Sequence, residues 1–446
     1  MNIDKLVIEL VESYNHSGLI PINTGQRELF LCLVAFILKS HELNIPKNKY
    51  SELLLTIDNH NAANDDGFNA IISSIDNNSL QAMHLIFKEL QQHIANTSCD
   101  FQKLKEELDW FYNSINPEEI TQPNMVILYD KLQQRLQKMN DPDILSSDFI
   151  YSNLPFEISE LIYRLSGKES FESIYDPLAK DAELTTFLTS LASTKKAYIA
   201  NVKQTETYIR HKLLLSDVME YCIANAMENT KFNNTIDFAF TYIDPITSSA
   251  LVKKKESDLN SLENSKSQQP QEYLEHGYIR QIYDSLSEDG TGIIFVGKGP
   301  LHRKIETENR NLLLVQNAVD AVIELPTKIV TPKTPTLYAV ILKKNRTNDK
   351  VTFIDASENY NHAGRKNTLV NIDSIIKNSQ ATMPSDSCIR VKVDTLIAND
   401  CSLVVSNYIS PVTIENTNIN EQEIRDKLQI LQKKNDNLIK ELINNF

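Results

Sequence analysis

Apolar positions along the chain change their spacing near residue 145. Before that point they recur at helical steps. Leu6, Val7, Leu10 and Val11 share one face, and Gln26 to Lys39 is apolar on every side, which predicts a buried helix. Leu80 to Ile94, Phe101 to Ile115 and Met125 to Met139 repeat the pattern until Asn140-Asp141-Pro142 stops it. Beyond it, helical patterns alternate with short apolar runs. Ile158 to Leu165 predicts a helix closed by Gly167, Ile236 to Thr241 a half-buried strand, Tyr273 to Leu286 a helix, and Gly292 to Val296 a strand covered on both faces. Asn311 to Gln316 predicts a short helix, and Asp320 to Leu325, Thr336 to Lys343 and Val351 to Asp355 predict further strands. This alternation predicts an α/β fold: an all-helical N-terminal domain over 1–145, a doubly wound, mainly parallel domain of Rossmann type over 146–410, and a linker with a C-terminal helix over 411–446. Residues 247–271, rich in Ser, Lys, Glu, Asn and Gln, predict a mobile insert in the second domain.

The candidate chemistry gathers in Phe171 to Ala192. A short apolar piece, Ile174-Tyr175, breaks at Asp176-Pro177 and resumes as a helix with Leu184, Phe187, Leu188 and Leu191 on one face. Strand, turn and helix in that order cradle nucleotide-like cofactors in doubly wound folds. Such a turn normally needs glycine, so that backbone can approach the ligand. Leu178 to Glu183 contains none, and the whole chain has 10 glycines in 446 residues. The architecture predicts a cofactor site; the side chains predict its loss.

At the other end, Ile424, Leu428, Leu431, Leu438 and Leu442 fall on alternating helical steps with Asn435 in the same seam. That register predicts a coiled-coil-like assembly helix, with packing onto the chain's own body as the alternative. The net charge of −14 makes nonspecific nucleic-acid binding a matter of local basic patches. Two such patches are Lys253-Lys254-Lys255 and the run Lys298, His302, Arg303 and Lys304. Cys32, Cys99, Cys222, Cys388 and Cys401 form no CxxC pair, so free thiols are expected and no metal site. The acidic amphipathic N-terminus is unlike a signal peptide, and Leu29 to Leu38 is too short to span a bilayer, so a cytoplasmic protein is expected.

Taken together, the segments resemble the modification (methyltransferase) subunits of type I restriction-modification systems, which methylate adenine N6 in DNA. Asp148 to Leu161, Ile174-Tyr175-Asp176-Pro177, Asp289 to Arg303, Asn317 to Pro326, Thr334-Pro335-Thr336, Phe353 to Ser357, Val393 to Asp400 and Asn407-Tyr408-Ile409 carry the resemblance in order and spacing. It implies S-adenosylmethionine around Tyr175, Asp176, Pro177, Ala179 and Asp181, and the reaction at Tyr242, Ile243, Asp244 and Pro245. The family's functional motifs are altered at both places. Its glycine turn is replaced, with Asp181 and Glu183 where the cofactor's carboxylate would approach. Its ribose-holding acid is missing from Tyr198 to Val202. Its catalytic Asn and first Pro are absent from Tyr242-Ile243-Asp244-Pro245, although Asp244 can still accept a hydrogen bond. These departures predict a catalytically inactive subunit without a cofactor, serving as scaffold, partner or DNA-binding component of a modification or defence complex. The alternatives are an active, divergent S-adenosylmethionine-dependent adenine methyltransferase and a pure interaction module. The expected partners are another methyltransferase-like or specificity-type subunit, or a second copy, met through the C-terminal helix.

Overall fold

The computed structural model describes residues 2–19, 23–58, 77–140, 154–180, 182–201, 206–224, 232, 234–246, 274–381 and 383–409. Residues Met1–Ile409 form one compact unit. The expected insert, with Lys253, Lys254 and Lys255, lies outside the described residues, as does the tail with its seam from Ile424 to Leu442.

The N-terminal part is helical: α1 (Ile3–His16), α2 (Thr24–Glu42), α3 (Lys47–Asp58), α4 (Asn77–Asn96), α5 (Phe101–Ser114) and α6 (Gln122–Asn140). The Asn23 side chain caps α2 by accepting from the Gln26 N–H. The all-round apolar character of α2 has a simple cause: α4, α5 and α6 pack about it, and Leu29 to Leu38 is wholly buried. Polar Lys39 is buried at its end because the Glu42 and Asp217 carboxylates lie 2.5 and 2.7 Å from its Nζ.

From residue 156 the order becomes α7 (Phe156–Ser166), β1 (Ser170–Asp176), α8 (Glu183–Leu191), β2 (Ser193–Ala200), α9 (Glu206–Leu215), β3 (Glu220–Ala224) and β4 (Ile236–Tyr242). There follow α10 (Leu274–Ser285), β5 (Leu286–Val296), α11 (Thr307–Val315), β6 (Val319–Glu324), β7 (Tyr338–Lys343) and β8 (Lys350–Asp355). The hairpin β9 (Tyr360–Ala363) and β10 (Lys366–Leu369), then α12 (Ile372–Gln380), β11 (Cys388–Lys392) and α13 (Val393–Ala398) complete it. Among the described residues, nine strands form one sheet in the order β11-β8-β6-β7-β5-β4-β1-β2-β3. Pairing is parallel from β3 through β5 and between β6 and β8. β7 runs antiparallel between β5 and β6, and β11 antiparallel on β8. The expected mainly parallel sheet is present, with helices on both faces. On one face α7, α8 and α12 cover Ile174, Phe238, Ile293 and Ile354. On the other, α10, α11 and α13 cover Tyr175, Ala239, Ile294 and Phe353.

One crossover helix serves two cores. Ile209 and Leu213 of α9 face the sheet, whereas Tyr208, Leu214 and Leu215 belong to the helical layer. Its polar residues reach the same layer: Lys212 Nζ lies 2.8 Å from Asp130, and Arg210 and His211 both meet Glu89. Buried charges so paired hold the sheet and the helices in one register. Among the described residues, no helix is long and apolar enough to cross a membrane.

Candidate active site

Parallel strands bring their C-terminal ends to one sheet edge, and connections there form the ligand crevices of such folds. Asp176 ends β1 and is buried. Its Oδ1 accepts from the Leu178 N–H (3.1 Å) and the Thr241 hydroxyl (3.0 Å), and its Oδ2 from the Thr185 hydroxyl (3.0 Å). Burial pushes its carboxyl up to about 6; the three donors and the Lys180 ammonium oppose that rise.

The turn that follows has an unusual backbone. Lys180 and Ala182 sit at φ 51° and 52°, in the left-handed region that glycine enters without strain. The Ala182 N–H closes on the Ala179 carbonyl, the Ala179 N–H on the Ala200 carbonyl, and the Asn201 amide on the Pro177 carbonyl at 2.7 Å. Beta-strand ends and turn are therefore tied together by backbone. Ala182 precedes α8 without a side-chain cap, so the N-terminus of α8 opens onto the turn. Lys180 Nζ stands 5.3 Å from the Tyr242 ring centroid, and Glu183 accepts from the Leu154 N–H at 3.2 Å. The remaining cleft, lined by Leu154, Asp176, Ala179, Lys180, Glu183 and Tyr242, has a volume of about 20 Å³, room for a single water.

Several expected site residues separate. Asp176, Ala179 and Tyr242 line the cleft. Tyr175 points to the opposite face of the sheet, as strand alternation requires, and its hydroxyl accepts from Gln281. Pro177 is buried beside the cleft, Ile243 packs on the opposite face, and Asp181 lies outside the described residues. Asp244 is half-buried just past β4 and accepts from the Ile246 N–H at 3.0 Å. Pro245 presses on Gly297, where any Cβ would come within 2.8 Å of the proline ring. That close approach explains the glycine after β5. The sequence did not announce Thr185, Thr241 or Lys180 as site residues; hydroxyls on otherwise apolar faces break no pattern.

Of the basic candidates, Lys298, His302 and Lys304 are exposed. Arg303 needs correcting: it turns inward, with its guanidinium 3.0 Å from Glu275 and 3.3 Å from Glu306. Burial pushes the Glu306 carboxyl up to about 7 and His276 beside it down to about 4.

The N-6 DNA methylase model matches residues 152–417, which spans the whole sheet and its edge. The chain belongs to the N-6 DNA methylase family. It is 24% identical over 325 residues to the type I restriction enzyme MpnII methylase subunit of Mycoplasma pneumoniae, covering 65% of this chain and 59% of that relative. The aligned stretch thus spans less than two thirds of the relative's length. In fold, it is similar to the methyltransferase subunit of a type I restriction-modification system from Streptococcus thermophilus, with a TM-score of 0.54 and 16% identity, covering 92% of this chain and 100% of that one. A chain of a type I restriction-modification complex superposes with a TM-score of 0.53 at 10% identity, covering 99% of this chain and 97% of that one.

Family membership corrects one expectation. The chain was expected to have no cofactor; a methylase family match across the β1 turn, and a methylase relative, point to S-adenosylmethionine instead. The physical reason lies in the backbone. Absence of glycine was taken as absence of the glycine turn, yet Lys180 and Ala182 adopt the glycine conformation regardless.

Proposed function

We propose that the chain is the modification subunit of a type I restriction-modification assembly, using S-adenosylmethionine to methylate adenine N6 in DNA. The observation that carries this reading is the left-handed backbone at Lys180 and Ala182, joining Asp176 to the open N-terminus of α8. The group fits that backbone: the first-turn N–H groups of α8, which no side chain caps, and Asn201 after β2 would hold it. It requires the Lys180 side chain to swing out of a cleft of about 20 Å³. When bound, S-adenosylmethionine supplies an electrophilic methyl group. The chain's own part is positional. Asp244, at the end of β4, accepts hydrogen bonds from the amino group of an extruded base, which favours electron density on its nitrogen. Tyr242 walls the cleft, and Leu154 and Leu184 exclude water.

The test is calorimetric titration of S-adenosylmethionine into the full chain and into Lys180→Gly. We expect binding in both, about two- to fivefold tighter in the variant, because the ligand no longer displaces a cation–π contact of roughly 0.5–1 kcal/mol. Absence of binding in both proteins sinks the proposal.

Lys180 and Glu183 filling the cleft favour a second reading, in which the subunit lends fold and surface while another subunit performs transfer. Cofactor binding without methyl transfer to DNA is its signature. Either way the tail, Glu421 to Phe446, is proposed to mediate assembly through Ile424, Leu428, Leu431, Leu438 and Leu442. Deleting it should leave the melting temperature nearly unchanged and lower the mass of the complex in light scattering; an unfolded truncation would place the helix in the core instead.

A further inference from the structure

The edge that carries the cleft continues past it. Val296, Tyr338, Glu324 and Asp355 align in one row across β5, β7, β6 and β8, so the connections 297–306, 325–337 and 356–371 all leave from this edge. Two of them form a joint platform. β9 and β10 are joined by a tight turn in which Gly364 sits at φ 65°, the pattern of a type II′ hairpin. Buried Asn367 clamps that hairpin to the neighbouring loop: its N–H donates to the Lys328 carbonyl at 3.0 Å and its amide to the Thr327 carbonyl at 2.9 Å. Its Oδ1 meets His362 Nδ1 at 3.0 Å. The Lys328 N–H in turn closes on Thr334, making 327–334 compact.

The platform's charge runs against that of the chain. With 59 acidic against 45 basic residues overall, the connections 325–337 and 356–371 carry Lys328, Lys333, Arg365 and Lys366 against one acid, exposed Glu358. Lys328, Lys333 and Arg365 are exposed and Lys366 is half-buried. None of the four makes an ion pair among the described residues. A predominantly cationic surface, held in shape by the hydrogen bonds of buried Asn367, is the footprint of phosphate-backbone recognition. Exposed Lys298 and Lys304 lie on the connection between it and the cleft.

We propose that the 325–337 loop and the β9–β10 hairpin bind the backbone of duplex DNA beside the base that enters the cleft, an inference resting on the DNA-modifying reading above. Four strand spacings separate β1 from β6, about 20 Å, so the contacted phosphates lie roughly six base pairs from that base.

The experiment is fluorescence anisotropy with labelled duplex DNA and the full chain, with its co-purifying subunits, at several salt concentrations. The comparison is Lys328→Gln, Lys333→Gln, Arg365→Gln and Lys366→Gln combined. These side chains lie at the surface, and an unchanged melting temperature verifies folding. We expect affinity at least tenfold lower and a log–log salt slope shallower by about 3. Wild-type affinity and slope in the variant overturn the inference while leaving the DNA reading intact. A wild-type complex that binds no DNA at low salt overturns the DNA reading itself. Retained DNA affinity with loss of a co-purifying subunit makes the platform a protein-docking surface and also overturns the inference.

Discussion

Asp244→Ala is expected to lower methyl transfer to DNA by roughly a hundredfold to a thousandfold while leaving S-adenosylmethionine affinity unchanged. The magnitude is that of removing one preorganised polar group from a transition state. The location argues for it. β4 ends at Tyr242, the Ile243 N–H still bonds the Phe295 carbonyl, and Asp244 is the first residue beyond that pairing. Pro245 against Gly297 fixes the chain there, two residues beyond Tyr242, which lines the cleft. The Asp244 Oδ1 accepts from the Ile246 N–H at 3.0 Å, which orients the carboxylate. Asp244→Asn separates charge from geometry: an amide oxygen still accepts, without the charge assistance of a carboxylate, so this variant should retain transfer within about tenfold. The readout is tritiated methyl incorporation by the purified subunit with its co-purifying partners, alongside calorimetry. Full activity in Asp244→Ala removes the residue from the mechanism. Absence of transfer in the wild type, with cofactor bound, selects the scaffold reading.

The sequence made most elements legible because each carries a strong period. The switch from helical spacing to alternating runs near residue 145 corresponds to the change from the α1–α6 layer to the sheet, and Gly167 does end α7 in the left-handed conformation. α9 was not legible. Both its faces are packed, Ile209 and Leu213 against the sheet and Tyr208, Leu214 and Leu215 against the helices, and its Arg210, His211 and Lys212 pair with carboxylates of the helical layer instead of forming a solvent face that would set a period. The cleft was half legible. Asp176-Pro177 marked its place, but the hydroxyls of Thr185 and Thr241, which hold the carboxylate, come from separate elements that only folding brings together. Arg303 read as a surface cation because its partner Glu275 sits on α10, far back in the chain. The turn misled for a different reason. Residue identity states what conformation is easy, and at Lys180 and Ala182 the surrounding backbone bonds impose one that is not.

Asp176→Asn should stabilise the protein at neutral pH and leave it unchanged in acid. The Asp176 carboxyl is raised from 3.8 to about 6 in the folded state, with burial as the largest cause. A raised carboxyl means the folded state holds its proton between about pH 4 and 6 while the unfolded chain has released it. Stability therefore falls as pH rises through that window, and the ionised, buried group costs about 3 kcal/mol above it. Below about pH 4 both states are protonated and the cost vanishes. Asparagine removes the charge and keeps the contacts: its oxygen accepts from the Leu178 N–H and the Thr241 hydroxyl, and the Thr185 hydroxyl rotates to accept from its amide. Urea unfolding at pH 4.0, 5.5 and 7.5, values of roughly the two limits and the midpoint of the shift, should show a variant-minus-wild-type difference growing from near zero to about 3 kcal/mol. A difference that does not change with pH, or a variant less stable at pH 7.5, defeats the argument. The same group ties stability to the site: its ionised form attracts the Lys180 ammonium that closes the cleft, so the charge that weakens the fold also holds the gate. Asp176→Asn should accordingly loosen Lys180 and tighten S-adenosylmethionine in the direction that Lys180→Gly does, by a smaller factor.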